Sequence, residues 1–207
     1  MPPRIRQQKK TIILNAACEE FANHGYAGSK IVNIAKKIDL PKANIYYYFA
    51  SKEMLYRNVL ESFIEPLLMA TQPFDQYDDP GSALIDYIKL KIEISKKHPY
   101  ASKVFANEIL HGAPHLPADI IEKLVQQTHN STAKLQQWID KGMMDDVNPL
   151  HLLFSLWAST QTYADFNWQI KLHLKTDSIS QQDYEDATNT LIKIVLKGCG
   201  IQTQMAK

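Results

Sequence analysis

The chain has 207 residues, 45% hydrophobic and 22% charged, enough apolar material for a sizeable core in one large domain or two small ones. It carries only 7 glycines and 2 cysteines, and Cys18 and Cys199 are too few and too far apart for a disulfide framework or a metal site, which excludes a small secreted scaffold. The formal net charge of +1 conceals an asymmetry, because residues 1–52 hold nine Lys/Arg against three acidic residues and the other 155 residues sum to −5, the layout of a basic nucleic-acid-binding head on a mildly acidic body.

Helical periodicity runs through nearly the whole chain and no stretch alternates like a half-exposed strand, so the fold class is all-α. The basic N-terminus lacks an apolar segment of signal-peptide type, and the apolar run 150–157 is too short to span a bilayer; both point to a cytoplasmic protein. A first helix is predicted over 8–24, with Ile13, Ala17 and Phe21 forming an apolar row beside Leu14 and Cys18, and Gly25 ending it as a C′ residue. Cys18 is expected to be a small buried hydrophobe. Ser29 then serves as N-cap of a short helix over 30–37, whose buried side is Ile31, Ile34, Ala35 and Ile38. A turn at Asp39 leads to Pro41, suited to the first turn of a second short helix over 41–48. Ser51 opens a longer helix with a bend near Pro66. Residues 72–81, rich in breakers, read as a linker. Five further helices follow, near 82–97, 100–111, 117–141, 149–174 and 181–197, making about nine in all. The predicted division is a three-helix head, 1–52, and a larger helical body, 53–207.

Two short helices joined by a tight turn inside a basic head form a helix-turn-helix over 29–48, and the second helix is the one that enters a major groove. It offers Lys42, Ala43, Asn44, Tyr46, Tyr47 and Tyr48 outward, with Ile45 and Phe49 inward. Lys and Asn pair with base edges, Ala meets a thymine methyl, and tyrosine hydroxyls reach phosphates. Lys52, at the next helix N-terminus, adds a cation where backbone N–H groups also favour phosphate.

Residues 25–55 strongly resemble the DNA-binding domain of the TetR family of regulators. The likeness lies in Gly25-Tyr26 before the cap, Ile34-Ala35 in the first short helix, and Ile45-Tyr46-Tyr47-Tyr48-Phe49-Ala50-Ser51-Lys52-Glu53. The family usually has glycine where this chain has Asp39, and aspartate tolerates a left-handed backbone better than most residues. The resemblance implies backbone contacts from Ser29 and Lys30, base contacts from Lys42, Ala43, Asn44 and Tyr47, and phosphate contacts from Tyr46, Tyr48 and Lys52. Arg4, Arg6, Lys9 and Lys10 form a basic arm that either reaches DNA or hangs free.

Segments 90–95, 105–114 and 157–166 are similar to the RutR-type subgroup, whose members respond to uracil or thymine. Within the helix over 149–174, Trp157, Gln161 and Asp165 share one face. A Gln amide matches the donor–acceptor edge of a planar lactam, and Trp157 or Tyr163 could stack on its ring. Glu108 and His111 are further polar candidates. The alternative for Gln161 and Asp165 is a purely structural role across a dimer core. The helix over 149–174 is apolar on nearly all sides and should be central. The resemblance implies that it and the helix over 181–197 pack against their symmetry mates, giving a homodimer suited to a palindromic operator in duplex DNA. His111, His115 and His129 have no metal-ligand spacing. No cofactor and no enzymatic activity are expected, since nucleophile elbow, phosphate loop and ligand cluster are all missing. The competing readings are a regulator of a larger apolar ligand and a helical interaction module that does not bind DNA.

Overall fold

The computed structural model describes residues 3–202, with side chains from Arg6 onward. Among the described residues there are eleven helical segments and no strand: α1 (Pro3–Gly28), α2 (Ile31–Lys37), α3 (Lys42–Tyr48), α4 (Lys52–Met69), α5 (Pro73–Gln76), α6 (Pro80–Lys97), α7 (Pro99–Leu110), α8 (Ala118–Asp140), α9 (Pro149–Asp165), α10 (Asn167–Leu174) and α11 (Gln181–Gly198). None of them is long and apolar enough to cross a membrane.

The chain divides into two compact units. The first comprises residues up to Glu65 together with Tyr100–Ile120, and the second Pro66–Pro99 together with residues from Ile121 on. In the first unit the apolar row of α1 (Ile13, Ala17, Phe21) is fully buried with Ile34 of α2 and Ile45 of α3. Phe63 of α4 meets Phe105 of α7 with ring centroids 5.7 Å apart. Gly25 takes φ +64, ψ 176, a backbone that side chains rarely adopt, and kinks α1 just before α2. Asp39 sits at φ +49 in the turn between α2 and α3. The left-handed turn survives there without glycine, as expected. Ser51 Oγ accepts the Met54 N–H at 3.0 Å, capping α4.

In the second unit, α5, α9 and α11 all pack on α6. Its core includes Phe74, Tyr87, Trp138, Leu153, Leu156 and Leu196. Asn148 caps α9, its side chain accepting from the Leu150 and His151 N–H groups, each at 3.1 Å. Ser180 and Asp183 form a reciprocal capping box at the start of α11.

Several expectations are corrected. The stretch 72–81 is not an open linker. Pro73 starts the one-turn α5, Phe74 is 1% exposed, and Pro80 and Gly81 are already inside α6. One aromatic side chain with a core to enter outweighs the surrounding breakers. The helix over 149–174 is two helices broken at Phe166, and these two changes raise the count from nine to eleven. Nor is α9 buried all round: Leu153, Leu156, Thr160 and Ala164 are buried, whereas Leu150 and Phe154 are exposed. Cys18 is only half-buried, although burial still pushes its thiol up to about 12.

Candidate nucleic-acid interface and effector site

The two short helices owe their stability to tertiary support, since seven residues of helix are marginal alone. Ile31, Ile34 and Ala35 anchor α2, and Ile45 with Phe49 anchors α3. Between the helices, the Asp39 N–H donates to the Lys36 carbonyl at 3.3 Å and the Leu40 N–H to the Ala35 carbonyl at 3.0 Å. With Ile45 turned inward, α3 presents Lys42, Ala43, Tyr46 and Tyr47 to solvent, Tyr47 being 68% exposed; Asn44 and Tyr48 are half-buried beside them. This face is about 10 Å long at 1.5 Å per residue, the scale of a recognition helix laid in a major groove.

Cations brace the aromatic residues of that face. Lys42 lies 5.5 Å from the Tyr46 ring centroid and Arg6 of α1 5.9 Å from that of Tyr47. Lys10 covers Phe49 at 5.6 Å. The proposed basic arm is therefore helical, being the first turns of α1, and the Arg4 side chain lies outside the described residues. Lys52 sits 4.8 Å from the Tyr26 ring centroid and donates to the Ala27 carbonyl at 3.3 Å. Its charge is thus held at the start of α4.

Ser29 is not the cap of α2. Lys30 occupies the N-cap position with no side-chain bond of its own. Ser29 is buried and its hydroxyl faces the carbonyls of Glu20 (3.0 Å) and Gly25 (2.6 Å), which leaves no hydroxyl donor for a phosphate. The capping acceptor comes from α1 instead. Glu20, 4% exposed, accepts the Lys30 N–H at 3.2 Å and the Asn33 side-chain amide at 3.0 Å through the same carboxylate oxygen. A carboxylate at a helix N-terminus is favoured by the backbone dipoles. Lys30 itself remains exposed.

The predicted effector residues do not assemble within one unit. Glu108 and His111 belong to the first unit, and Trp157, Gln161, Tyr163 and Asp165 to the second. Glu108 is 3% exposed and already occupied: Oε2 accepts from the Tyr56 hydroxyl at 3.0 Å and lies 3.2 Å from His115 Nδ1, and Oε1 accepts the His115 backbone N–H at 2.5 Å. The Tyr26 ring packs against His115 at a tilt, with centroids 4.2 Å apart. Burial, then the neighbouring Glu108 carboxylate, push the Tyr56 hydroxyl upward in pKa, so it stays a donor. Glu108 therefore pins α4 to α7. His111 is exposed just past α7, its Nδ1 2.7 Å from the Asn107 carbonyl.

The second unit does bring a polar row together between α6 and α9. Trp157 Nε1 donates to the Tyr87 hydroxyl at 2.9 Å, and Ser95 Oγ donates to the Thr160 carbonyl at 2.8 Å. Gln161 is half-buried one turn beyond Trp157. Tyr163 points elsewhere, its ring 6.0 Å from that of Tyr184 on α11. Lys91, missed in the sequence, is 4% exposed on α6 between Tyr87 and Ser95. Burial lowers its ammonium to about 8, while Asp165 pulls it back upward. The available signal was a lysine in register with Tyr87 and Ser95, on the apolar side of a helix that also carries Leu84, Ile88 and Ile92.

Comparison with known proteins gives two family profiles that together span most of the chain. Residues 13–59 match "Bacterial regulatory proteins, tetR family" and residues 60–202 match "YcdC-like protein, C-terminal region". The chain is 33% identical over 195 residues to the HTH-type transcriptional regulator RutR of Escherichia coli K12, covering 94% of this chain and 92% of that protein. It is 25% identical over 192 residues to the HTH-type transcriptional repressor NicS of Pseudomonas putida, covering 90% of each. Among solved structures, the ketosteroid transcriptional regulator KstR2 of Mycobacterium tuberculosis superposes with a TM-score of 0.76 at 19% identity, over 92% of this chain and 94% of that one. That last likeness speaks for the fold alone.

Proposed function

Since the chain belongs to the TetR family of bacterial regulatory proteins and is a ligand-responsive, DNA-binding transcriptional regulator, we propose that it works in the cytoplasm as a homodimeric repressor released from a palindromic operator by a pyrimidine such as uracil or thymine. In this reading residues 1–52 read the DNA and residues 53–207 sense the effector and dimerise, without catalysis. The observation that carries the reading is the outward face of α3, where Lys42, Ala43, Tyr46 and Tyr47 are exposed to solvent above a buried Ile45. Lys42 and Asn44 supply the base-edge chemistry, and Lys30, Tyr46, Tyr48 and Lys52 flank them as phosphate contacts.

Exposed apolar side chains on α9 and α11 support the dimer. Phe154 is 45% and Ile194 63% exposed, and a two-fold dimer of standard size needs about 800 Å² per partner from such surfaces. For the effector, the half-buried Gln161 amide beside Trp157 suits a planar lactam. Release by a hundredfold requires the effector to favour the non-binding state by about 2.7 kcal/mol, within reach of a few buried hydrogen bonds. The helix α4 is the covalent path for that preference, since it runs from Lys52 beside the head to Met69.

Two assays test the proposal. Changing Lys42 and Asn44 to Ala should erode discrimination between operator and unrelated duplex, whereas Lys52→Ala should weaken both alike; the reverse pattern contradicts the assignment. Uracil or thymine should raise the melting temperature and release the operator, and no effect of either removes the pyrimidine from the account.

A further inference from the structure

Tyr26 and Ala27, at the end of α1, hold the Lys52 side chain: its ammonium lies 4.8 Å from the Tyr26 ring centroid and donates to the Ala27 carbonyl at 3.3 Å. A lysine stem is long and flexible, so a fixed aromatic ring beside it does much to decide where its charge stands. The Tyr26 ring is itself packed against Phe21 of α1, Tyr56 of α4 and His115, with centroids 6.4, 4.9 and 4.2 Å away. The nearest of these rings is the most distant in sequence, and it comes from the connection between α7 and α8. That connection is shaped to deliver it. Gly112 and Ala113 both take left-handed backbone, at φ +81 and +57, a conformation costly for alanine. They turn the chain back over the end of α7, where the Ala113 N–H donates to the Glu108 carbonyl at 2.9 Å. The buried Glu108 carboxylate then accepts the His115 backbone N–H at 2.5 Å and faces its Nδ1 at 3.2 Å. Strained backbone persists only where its surroundings fix it, and such places are commonly ones where the conformation is used.

We propose that His115 is a positioning residue for DNA binding: its imidazole holds the Tyr26 ring in place, and that ring holds the Lys52 ammonium where a phosphate meets it. This rests on the reading of Lys52 as a phosphate contact and adds the residues that place its charge. The hold is made by ring packing, so a phenyl ring serves in place of the imidazole. Tyr26, Lys52, Glu108 and His115 all lie in the first unit. His115 shortly precedes α8, the helix that carries the chain into the second unit at Ile121. The α7–α8 connection is thereby a second covalent path, beside α4, that ends at a residue touching DNA.

The test is a double-mutant cycle between His115 and Lys52, read by anisotropy titration of the full-length protein with the duplex it selects from a random pool. His115→Ala should weaken binding about fivefold or more, the fold-change that a cation–π hold of ordinary strength corresponds to. The same change should cost less than about twofold when Lys52 is already Ala. Lys52→Ala should lower by about one the slope of log affinity against log salt. His115→Phe, which keeps a ring against Tyr26, should bind within about twofold of the parent. His115→Asn, which keeps a polar partner for Glu108 but no ring, should be as weak as His115→Ala, so the contrast between Phe and Asn reads the ring alone. Equal losses from His115→Ala with and without the Lys52 ammonium overturn the proposal by making the effect structural. A Phe variant as weak as the Ala variant, or an Asn variant as strong as the parent, overturns it too. Unchanged binding in His115→Ala overturns it while leaving Lys52 as a phosphate contact. A salt slope unaltered by Lys52→Ala removes the phosphate reading and this inference with it.

Discussion

Lys91→Met should make the protein more stable at neutral pH. Burial carries the Lys91 ammonium from its ordinary 10.5 down to about 8, a difference worth about 3 kcal/mol of folding free energy at neutral pH. Methionine fills nearly the same space with no charge to desolvate. The value of about 8 already contains the favourable pull of Asp165, so the expected net gain is at most about 3 kcal/mol. The sign of the pH dependence is set by proton counts. Between pH 8 and 10.5 the unfolded chain holds the Lys91 proton more firmly than the folded one. The penalty is therefore complete below pH 8 and fades as pH rises through that window. Urea unfolding of both proteins without ligand, at pH 7 and pH 10, measures this. The variant should lead at pH 7 and the gap should close towards pH 10. A variant less stable than the parent at pH 7, or a gap unchanged with pH, refutes the claim that burying the Lys91 ammonium costs stability.

Other perturbations probe the head. Glu20→Ala removes the cap that α2 borrows from α1, and should cost about 2–3 kcal/mol by urea titration and lower operator affinity, since Lys30 and Asn33 both bond that carboxylate. Glu20→Gln, which keeps an acceptor, should cost no more than about half as much; equal costs would show that the carboxylate geometry is irrelevant. Asp39→Gly should stabilise by about 0.5–1 kcal/mol and Asp39→Val destabilise by about 1–2 kcal/mol, because φ is +49 there. If glycine destabilises instead, the Asp39 side chain has a role beyond tolerating the turn. Glu108→Ala leaves the Tyr56 hydroxyl and His115 N–H without their acceptor, and should lower stability by about 2–4 kcal/mol in the same assay. A change under 0.5 kcal/mol would show that water replaces the carboxylate.

The head was readable because its information is local. Two short apolar rows, a breaker pair and the Tyr46–Lys52 block dictate α2, the turn and α3 from neighbours within a few residues. Asp39 was identified as the irregular point and does take positive φ. What was hidden is non-local. Glu20 is eleven residues upstream of the helix it caps, and no capping rule for α2 reaches that far, so Ser29 took the role by default. Phe74 reads as part of a polar linker until Tyr87 and Trp138 are brought to it, with ring centroids 4.9 and 6.3 Å away. The break at Phe166 has no glycine or proline to announce it. Glu108 and Lys91 illustrate the limit most clearly. Both are ionisable residues on amphipathic helices, yet Glu108 is saturated by donors from α4 and the α7–α8 connection, whereas Lys91 is buried on α6 between two residues tied to α9. Only the folded surroundings of each reveal that it is buried.

The central claim is that α3 reads duplex DNA. Selection of the full-length protein's preferred duplex from a random pool, followed by anisotropy titrations at increasing salt, tests it most directly. The account predicts a palindromic site occupied by two protomers, with log affinity falling linearly as log salt rises and with discrimination lost in Lys42→Ala/Asn44→Ala. No enriched sequence at low salt, or an enriched sequence whose recognition is untouched by those two substitutions, would contradict it.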